Sequence, residues 1–230
     1  YIDIVLTNKK GRIKKRRALV FKENRGEARY TRITYTEPKA IRDTAFLSHD
    51  FHDGSDSDNR WFYMPAAKKV RRVPASKRGQ YFLGTDFTYE DIQSELKFRL
   101  DDYTFKYEGQ TKEGTKVLHR VSGKPINQKV AKELGYGAFE AVIDESTWMP
   151  VQVEFNDLKN QPLKTIHVDA IEQIGGIWTA TSIRAINHKT GHQTQFLFRN
   201  VSYRDDLADS YFDPPALARG LPILSSGASR

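Results

Sequence analysis

Short runs in which apolar and polar residues alternate, separated by turn-forming residues, recur along most of the chain. The clearest series follows Gly137 and predicts strands over residues 138–143, 148–155, 163–174, 177–187 and 191–203. A tight hairpin turn is predicted at Gly175-Gly176. Because these runs lack the spacing of βαβ units, the pattern favours an antiparallel meander over a parallel doubly wound sheet.

The first half of the chain shows the same alternation, and a few segments depart from it. Strands are predicted there over residues 1–7, 12–22, 27–36, 42–47, 61–64, 69–73, 97–107 and 115–121. One or two helical turns are expected within residues 125–134. Residues 205–217 are expected to form a short helical or turn segment that packs on the sheet through Tyr211 and Phe212. Because the sequence opens at Tyr1 directly into a strand pattern, we expect that an export signal has been removed.

The stretch from Asn59 to Asp91 is the most distinctive part of the sequence. An aromatic run, Trp-Phe-Tyr-Met, ends at Pro65, and a basic run, Lys-Val-Arg-Arg-Val, ends at Pro74. Aromatic and β-branched residues suit a pleated surface, and proline cannot donate to the next ladder position. The two runs are therefore predicted to pair as a β-hairpin.

A basic, glycine-flanked loop and a short helix follow that hairpin. The loop, residues 74–84, carries the apolar triplet Tyr81-Phe82-Leu83. A helix is predicted over residues 88–96, with Asp86 or Thr88 as its N-cap and acidic residues in its first turn. We expect the loop and the helix to form a lid over an apolar cavity.

Four segments resemble the LolA-like family, the outer-membrane lipoprotein-sorting type of periplasmic carrier. The segments are DTAFLSHDF, RWFYMPAAKKVRRV, GTDFTYEDI and FRNVSYRDDLADSYFDPPALARG. The resemblance implies a mainly β (α+β) fold with a single strongly curved antiparallel sheet. That sheet forms an incomplete, half β-barrel, and short helices and loops cover its concave face. We expect one domain over residues 1–220 and a loose tail over 221–230.

The resemblance also implies a function and a location. It implies a monomeric periplasmic carrier that binds lipid or lipoprotein acyl chains in an apolar cavity and moves them between the inner and outer membranes. An inner-membrane transporter complex would be its donor, and peripheral contact with a membrane is expected. The basic strand and the acidic loop at residues 49–59 depart from the best-known sorting carrier. They indicate a divergent branch, of the kind associated with export systems of the resistance-nodulation-division type.

Aromatic side chains are the candidates for the lining of the cavity and its lid. These candidates are Trp61, Tyr63, Tyr81, Phe82, Leu83, Phe98, Phe105, Phe139, Phe155, Phe196 and Phe198. A strongly curved sheet holds a ligand only if its own side chains do not fill its hollow face. The alternative, that these residues fill a closed core, stays open on the sequence alone. Lys69, Arg71 and Arg72 are interpreted either as a solvated strand face or as a rim for phosphate head groups or a protein partner.

Composition limits the other classes of function. The formal net charge of +8 and the pI of about 9.5 favour anionic partners, although a basic surface also serves solubility alone. The chain has no cysteine, which excludes disulfides, thiol catalysis and thiolate zinc sites. No apolar run approaches the ~20 residues of a membrane-spanning helix. The 13 Phe, 11 Tyr and 3 Trp indicate a packed core or a lined cavity rather than disorder.

No catalytic or cofactor motif accompanies this pattern. The sequence has no nucleophile elbow, P-loop or Rossmann glycine pattern, so we expect neither an enzyme nor a cofactor. His49, His52 and the nearby aspartates resemble metal ligands, but their order does not match an EF-hand, and a solvated turn is preferred. Without an RNP-type pattern, no nucleic acid is expected as a partner, although a basic nucleic-acid-binding β-protein is a further interpretation. The main alternative is a sensor or scaffold of the same fold that binds a membrane export or signalling partner.

Overall fold

The computed structural model describes residues 1–26, 28–51, 59–74, 77–94, 96, 98–204 and 207–220. The strands are β1 (Ile2–Thr7), β2 (Ile13–Arg25), β3 (Ala28–Glu37), β4 (Ala45–Phe51), β5 (Asn59–Met64), β6 (Lys69–Val73), β7 (Tyr103–Glu113), β8 (Lys116–Pro125), β9 (Ala138–Asp144), β10 (Met149–Asn156), β11 (Pro162–Ile174), β12 (Ile177–Asn187) and β13 (Gln193–Phe198). The α-helices are α1 (Tyr89–Ser94) and α2 (Gln128–Leu134), and short 3₁₀ turns lie at Lys39–Ile41, Pro65–Ala67, Leu100–Asp102, Asp209–Phe212 and Pro214–Arg219.

All of these strands belong to one sheet of 13 strands, in the order β6-β5-β4-β3-β2-β1-β13-β12-β11-β10-β9-β8-β7. Neighbouring strands run antiparallel, as expected for a chain of hairpins. Within the described residues β6 and β7 do not pair, so the sheet has two edges and is not closed into a barrel. The predicted mainly β fold with one open antiparallel sheet is therefore confirmed.

The chain packs as two compact units. The first unit comprises Tyr1–Lys15 and Ser76–Tyr203, and the second comprises Arg16–Ala75 and Arg204–Arg230. The expected single domain over residues 1–220 stays a prediction. The expected tail, residues 221–230, lies outside the described residues.

Most predicted strands are present, with clear errors in two of them. The strand predicted over residues 191–203 ends at Phe198, and residues 199–203 form no strand. β12 has the predicted bounds, and β11 begins one residue earlier than predicted. The strand predicted over residues 97–107 was wrong in its first part, because Leu100–Asp102 forms a 3₁₀ turn and β7 begins only at Tyr103. Leu100 is 79 % exposed, so the apolar spacing of Phe98 and Leu100 does not reflect a buried strand face.

In the second unit, the C-terminal segment packs on the sheet as predicted. Phe212 is buried in a core with Phe21, Leu47 and Tyr63, and the ring of Tyr211 packs edge-on against Phe21. The buried guanidinium of Arg32 donates to the backbone carbonyl oxygens of residues 211, 216 and 220, at 3.1, 3.4 and 2.6 Å. The segment is thus held by both apolar burial and charge-assisted hydrogen bonds.

Candidate functional site

Residues 77–94, here called the covering segment, pack on one face of the sheet in the first unit. Phe82 is 1 % exposed, and the ring of Phe87 stacks on Phe196 of β13 with 4.2 Å between their centroids. Tyr89 of α1 packs edge-on against Phe82. The predicted short helix is present, and apolar contacts fix its approach to the sheet.

Thr88, rather than Asp86, caps α1. The amide of Asp91 donates to the hydroxyl of Thr88 at 3.1 Å, and the amide of Thr88 donates to the carboxylate of Asp91 at 2.6 Å. This reciprocal pair is a capping box, with Asp in the place of the usual Glu or Gln. Asp86 binds the sheet instead: its amide donates to the hydroxyl of Thr194 at 3.0 Å, and its carboxylate lies 2.7 Å from that hydroxyl and 2.6 Å from Nδ1 of His192.

A buried ion pair joins α1 to β11. The Lys164 ammonium contacts the Asp91 carboxylate, and the two side chains are 0 % and 3 % exposed. The hydroxyl of Tyr136 donates to the same carboxylate at 2.9 Å. Burial lowers the pKa of Lys164, although Asp91 and Asp86 oppose that shift, and burial raises the pKa of Tyr136, as does the Asp91 charge.

Arg78 is the third polar residue, after Asp86 and Asp91, that attaches the covering segment to the rest of the first unit. These three residues are called the polar anchors. Its guanidinium makes a bidentate hydrogen bond to Asp102, with distances of 2.9 and 3.1 Å. Glu90 and Glu133 lie 3.9 and 3.8 Å away. Burial lowers the pKa of Arg78, but the hydrogen bond to Asp102 and the three carboxylates outweigh it, so the pKa is raised.

The backbone next to Arg78 packs tightly on the end of α2. The amide of Gly79 donates to the carbonyl oxygen of Glu133 at 2.9 Å. A Cβ atom at Gly79 would lie 2.4 Å from the carbonyl oxygen of Leu134, so only glycine permits this approach. The predicted lid is therefore attached to the sheet and to α2. Its movement stays a prediction, and it requires the contacts of Asp86, Asp91 and Arg78 to break.

Beside the anchors lies an aromatic cluster formed by Phe98, Tyr103, Phe105, Phe139 and Phe155. The rings of Phe98 and Phe139 are stacked, with centroids 3.7 Å apart and planes 4° apart. Tyr103 packs edge-on against Phe98 and Phe139, at 5.6 and 5.1 Å. Phe155 lies 6.3 Å from both Phe98 and Phe139.

A small pocket adjoins this cluster. Its lining residues are Glu90, Asp91, Ser94, Leu96, Phe98, Arg99, Tyr103, Tyr136 and Phe155. Its volume is ≈ 10 Å³, which is about one water molecule and far below the ~300 Å³ at which ligand pockets begin. This pocket is therefore too small to hold an acyl chain without rearrangement of the residues around it.

The predicted cavity residues fall into several groups. Phe98, Phe105, Phe139 and Phe155 come together in the aromatic cluster. Phe82 and Phe196 pack with the covering segment, whereas Phe198 is half-buried at the end of β13, opposite Ile2. Tyr81 is 41 % exposed, and its hydroxyl accepts from Asn187 at 3.0 Å, while Leu83 is half-buried with φ of 47°. Trp61 and Tyr63 belong to the core of the second unit. That these residues line one cavity stays a prediction.

The predicted basic rim lies on an edge strand of the sheet. Lys69, Arg71 and Arg72 are exposed on β6, and Arg72 donates to the side chain of Asn59 on β5. Charged residues on an edge strand also prevent pairing with other chains. The rim therefore stays a prediction.

The suspected metal ligands lie only in part within the described residues. His49 lies on β4, and its Nε2 is 2.8 Å from the carbonyl oxygen of Phe212. Asp50 also lies on β4 and is buried, so these two residues belong to a strand and not to the expected solvated turn. The other suspected ligands, His52, Asp53, Asp56 and Asp58, lie outside the described part of the chain. Across the described ranges no group of three or more His, Cys, Asp or Glu side chains is placed to hold a metal. No described helix is long and apolar enough to cross a membrane.

Sequence reasoning missed Tyr103, Tyr136 and Lys164. For Lys164 a signal was present, because it lies two residues from Ile166 on a predicted strand and so shares its face. Both residues are buried. A lone lysine at an inward position indicates a buried partner of opposite charge, but nothing in the local sequence identifies that partner as Asp91.

Comparison with known proteins supports the fold. A family model with the description "uncharacterized protein" matches residues 27–219. A domain described as outer membrane lipoprotein-sorting from Vibrio parahaemolyticus has 25 % identity and a TM-score of 0.84, with 95 % of this chain and 89 % of that chain covered. No curated protein matches the sequence.

Two further solved structures share the fold at lower identity. A DUF1329 family protein from Desulfovibrio piger has 24 % identity and a TM-score of 0.85, covering 94 % of this chain and 89 % of that chain. A LolA superfamily protein from Nitrosomonas europaea has 17 % identity and a TM-score of 0.67, covering 92 % and 87 %. The family match extends over most of the chain, and the structural matches extend over nearly all of it. The chain therefore belongs to a divergent branch of the LolA-like family.

Proposed function

We propose that this protein is a periplasmic, non-enzymatic carrier that binds lipid or lipoprotein acyl chains and moves them between the inner and outer membranes. The observation that carries the proposal is the aromatic cluster of the first unit, which lies beside a segment fastened by polar anchors. Membership of the LolA-like family and the likeness to a lipoprotein-sorting domain support the ligand class and the extracytoplasmic location. An inner-membrane transporter complex is the proposed donor.

Because the pocket is small, binding of an acyl chain would require the residues around it to move. Burial of one CH₂ group is worth ~0.8 kcal/mol, so an acyl chain gains on the order of 10 kcal/mol gross. An entering chain must first displace Phe98 from Phe139, or move the covering segment away from Lys164 and Thr194. Rearrangement offsets part of the gain, and this lets a carrier release its cargo instead of holding it permanently.

Native mass spectrometry with a triacylated lipopeptide tests the proposal. The parent protein is expected to gain the mass of one lipopeptide after incubation. Phe98→Glu places a charge in the aromatic cluster and is expected to abolish that gain. Leu158→Glu is the matched control, because Leu158 is 51 % exposed in the turn before β11 and should tolerate the charge.

Circular dichroism and thermal unfolding would show that both variants fold. An apo mass for the parent protein at all lipopeptide concentrations would overturn the carrier proposal and favour the scaffold of the same fold. Equal uptake by parent protein and Phe98→Glu would place the ligand elsewhere and overturn the assignment of the site.

A further inference from the structure

Strands β11 and β12 extend beyond the strands on either side of them. β10 pairs with β11 only from Pro162 to His167, and β13 pairs with β12 only from Ser182 to Ile186, in the described strand pairings. Residues 171–180 pair only with one another there and form a two-stranded ribbon. The register shifts twice between Val168 and Ile171, where the ribbon leaves the sheet, as β-bulges do where pairing ends.

The apex of this ribbon, residues 173–179, is apolar and uncharged. Its sequence is Gln-Ile-Gly-Gly-Ile-Trp-Thr, in a chain of which 29 % of the residues are charged. Ile177 and Trp178 are 46 % and 45 % exposed. Isolated hairpin tips in water are ordinarily polar, so this composition indicates that the apex binds an apolar surface outside this chain.

The direction of the side chains distinguishes between a protein groove and a bilayer as the binding surface for the apex. Ile174 pairs with Ile177, and Gln173 pairs with Trp178. Because successive residues of a strand point to opposite faces, the isoleucine pair lies on one face of the ribbon and Trp178 lies on the other. A protein groove would cover one face and leave the other in water, whereas the boundary region of a bilayer surrounds both.

The size of the apex supports the same conclusion. A stable protein interface buries ~800 Å² on each partner, with 20–30 residues a side. Three apolar side chains are far fewer than that. Membrane interfaces, by contrast, are populated by single tryptophan and tyrosine rings that have one apolar and one polar end.

We propose that the apex of the β11–β12 ribbon inserts into the interfacial region of a phospholipid bilayer. Tyr203 adds a second amphipathic ring beside the apex, since its hydroxyl lies 2.7 Å from that of Thr179 and it is 51 % exposed. The turn at Gly175-Gly176 keeps the insertion shallow, because its backbone polar groups require water or head groups. The proposal goes beyond cargo binding, since it assigns the membrane contact to a surface apart from the aromatic cluster.

Co-sedimentation with vesicles of phosphatidylethanolamine and phosphatidylglycerol tests the proposal. The double variant Ile177→Asp, Trp178→Asp is expected to bind these vesicles at least about tenfold more weakly than the parent protein, a loss of roughly 1.4 kcal/mol. Leu158→Asp is the matched control, because Leu158 precedes β11 at its opposite end and is 51 % exposed. It is expected to bind like the parent protein.

Fluorescence locates the inserted residue. Trp61→Phe and Trp148→Phe leave Trp178 as the single tryptophan, since the chain has 3. Its emission is expected to shift to shorter wavelength with vesicles and to be quenched by lipids brominated near the head group. Quenching only by lipids brominated near the chain end would contradict shallow insertion.

Several results would overturn the membrane proposal. They are the absence of vesicle binding by the parent protein, equal binding by the double variant, and binding that salt abolishes but the apex substitutions do not change. Failure of cargo binding is recognised separately, because Phe98→Glu is expected to keep vesicle binding while losing the lipopeptide. The apex variant should still take up the lipopeptide from solution.

Discussion

The ammonium group of Lys164 on β11 contacts the carboxylate of Asp91 in α1, and both side chains are removed from water. The carboxylate also accepts hydrogen bonds from the hydroxyl of Tyr136 and the amide of Thr88. Two charges buried in this way stabilise a fold only as a pair, because the attraction between them offsets the desolvation penalty that each charge has on its own. The attachment of the covering segment to the sheet thus depends on a partnership between residues 73 positions apart.

Removal of one partner of this pair should be far worse than removal of both charges. Lys164→Met leaves the Asp91 carboxylate buried without its cation and is expected to lower the free energy of unfolding by about 3–5 kcal/mol. Lys164→Met combined with Asp91→Asn removes both charges and should recover much of that loss. A double-mutant cycle by urea denaturation measures the coupling, and equal losses in the single and double variants would contradict it.

Arg78 should control the local opening of the covering segment. Arg78→Met leaves the carboxylates of Asp102, Glu90 and Glu133 close together without a cation and should destabilise the fold by about 3–5 kcal/mol. Hydrogen exchange of residues 77–94 should accelerate more than that of β11 and β12. Arg120→Met is the control, because Arg120 and its partner Glu140 are 49 % and 46 % exposed and such a pair contributes about 0–1 kcal/mol. Uniform acceleration over the whole first unit would show that the covering segment does not open on its own.

Gly123 should be required for the stacking of Phe98 on Phe139. A Cβ atom at Gly123 would lie 2.2 Å from the ring of Phe139, so Gly123→Ala must push that ring away. Overpacking of this kind costs about 1–3 kcal/mol. In a Phe139→Leu background the added methyl group has more room, so the further loss should be smaller. Thermal unfolding of the four proteins checks this, and the same loss in both backgrounds would contradict the packing argument.

Acidification should weaken the second unit through His49. Burial, chiefly, lowers the pKa of His49 below its ordinary value of 6.5, although the carbonyl of Phe212 and the charge of Asp213 oppose the shift. As the pH falls below 6.5, the unfolded chain takes up this proton first. The free energy of unfolding therefore decreases until the pH passes the lower pKa of the folded state, and is constant below it.

The variant His49→Gln should reduce that pH dependence. Urea denaturation between about pH 7 and 4 would measure the slope for the parent protein and the variant. Burial and Arg184 also lower the pKa of His167, so His49→Gln with His167→Gln should flatten the curve further. An unchanged slope in both variants would show that these imidazoles do not link stability to pH in this range.

The alternation of residue types was sufficient to locate most of the sheet. It placed β12 at its observed bounds and identified Gly175-Gly176 as a hairpin turn. It failed at Phe98 and Leu100, because their apolar spacing is that of a strand whereas Leu100–Asp102 forms a 3₁₀ turn. Phe98 instead leaves the sheet and stacks on Phe139, a contact that depends on residues 41 positions away in the sequence.

Helix capping was predicted only in part, for a similar reason. Asp86 and Thr88 were equal candidates, since both residue types accept hydrogen bonds from the first turn of a helix. Thr194 and His192 on the sheet side of the fold engage the carboxylate of Asp86, which leaves Thr88 to cap α1. A partner that lies more than a hundred residues away in the sequence thus decided a local feature.

The sequence by itself determined the mainly β class, the antiparallel order of hairpins, and the hairpin turn at Gly175-Gly176, because alternation and turn chemistry depend on neighbours one to four residues away. Only the tertiary structure decided that Lys164 meets Asp91, that Arg78 gathers three carboxylates, and that the apex extends beyond the strands beside it. Those outcomes depend on which strands and loops pack together. Packing selects partners by shape, burial and charge across the whole chain, and no local pattern encodes that choice.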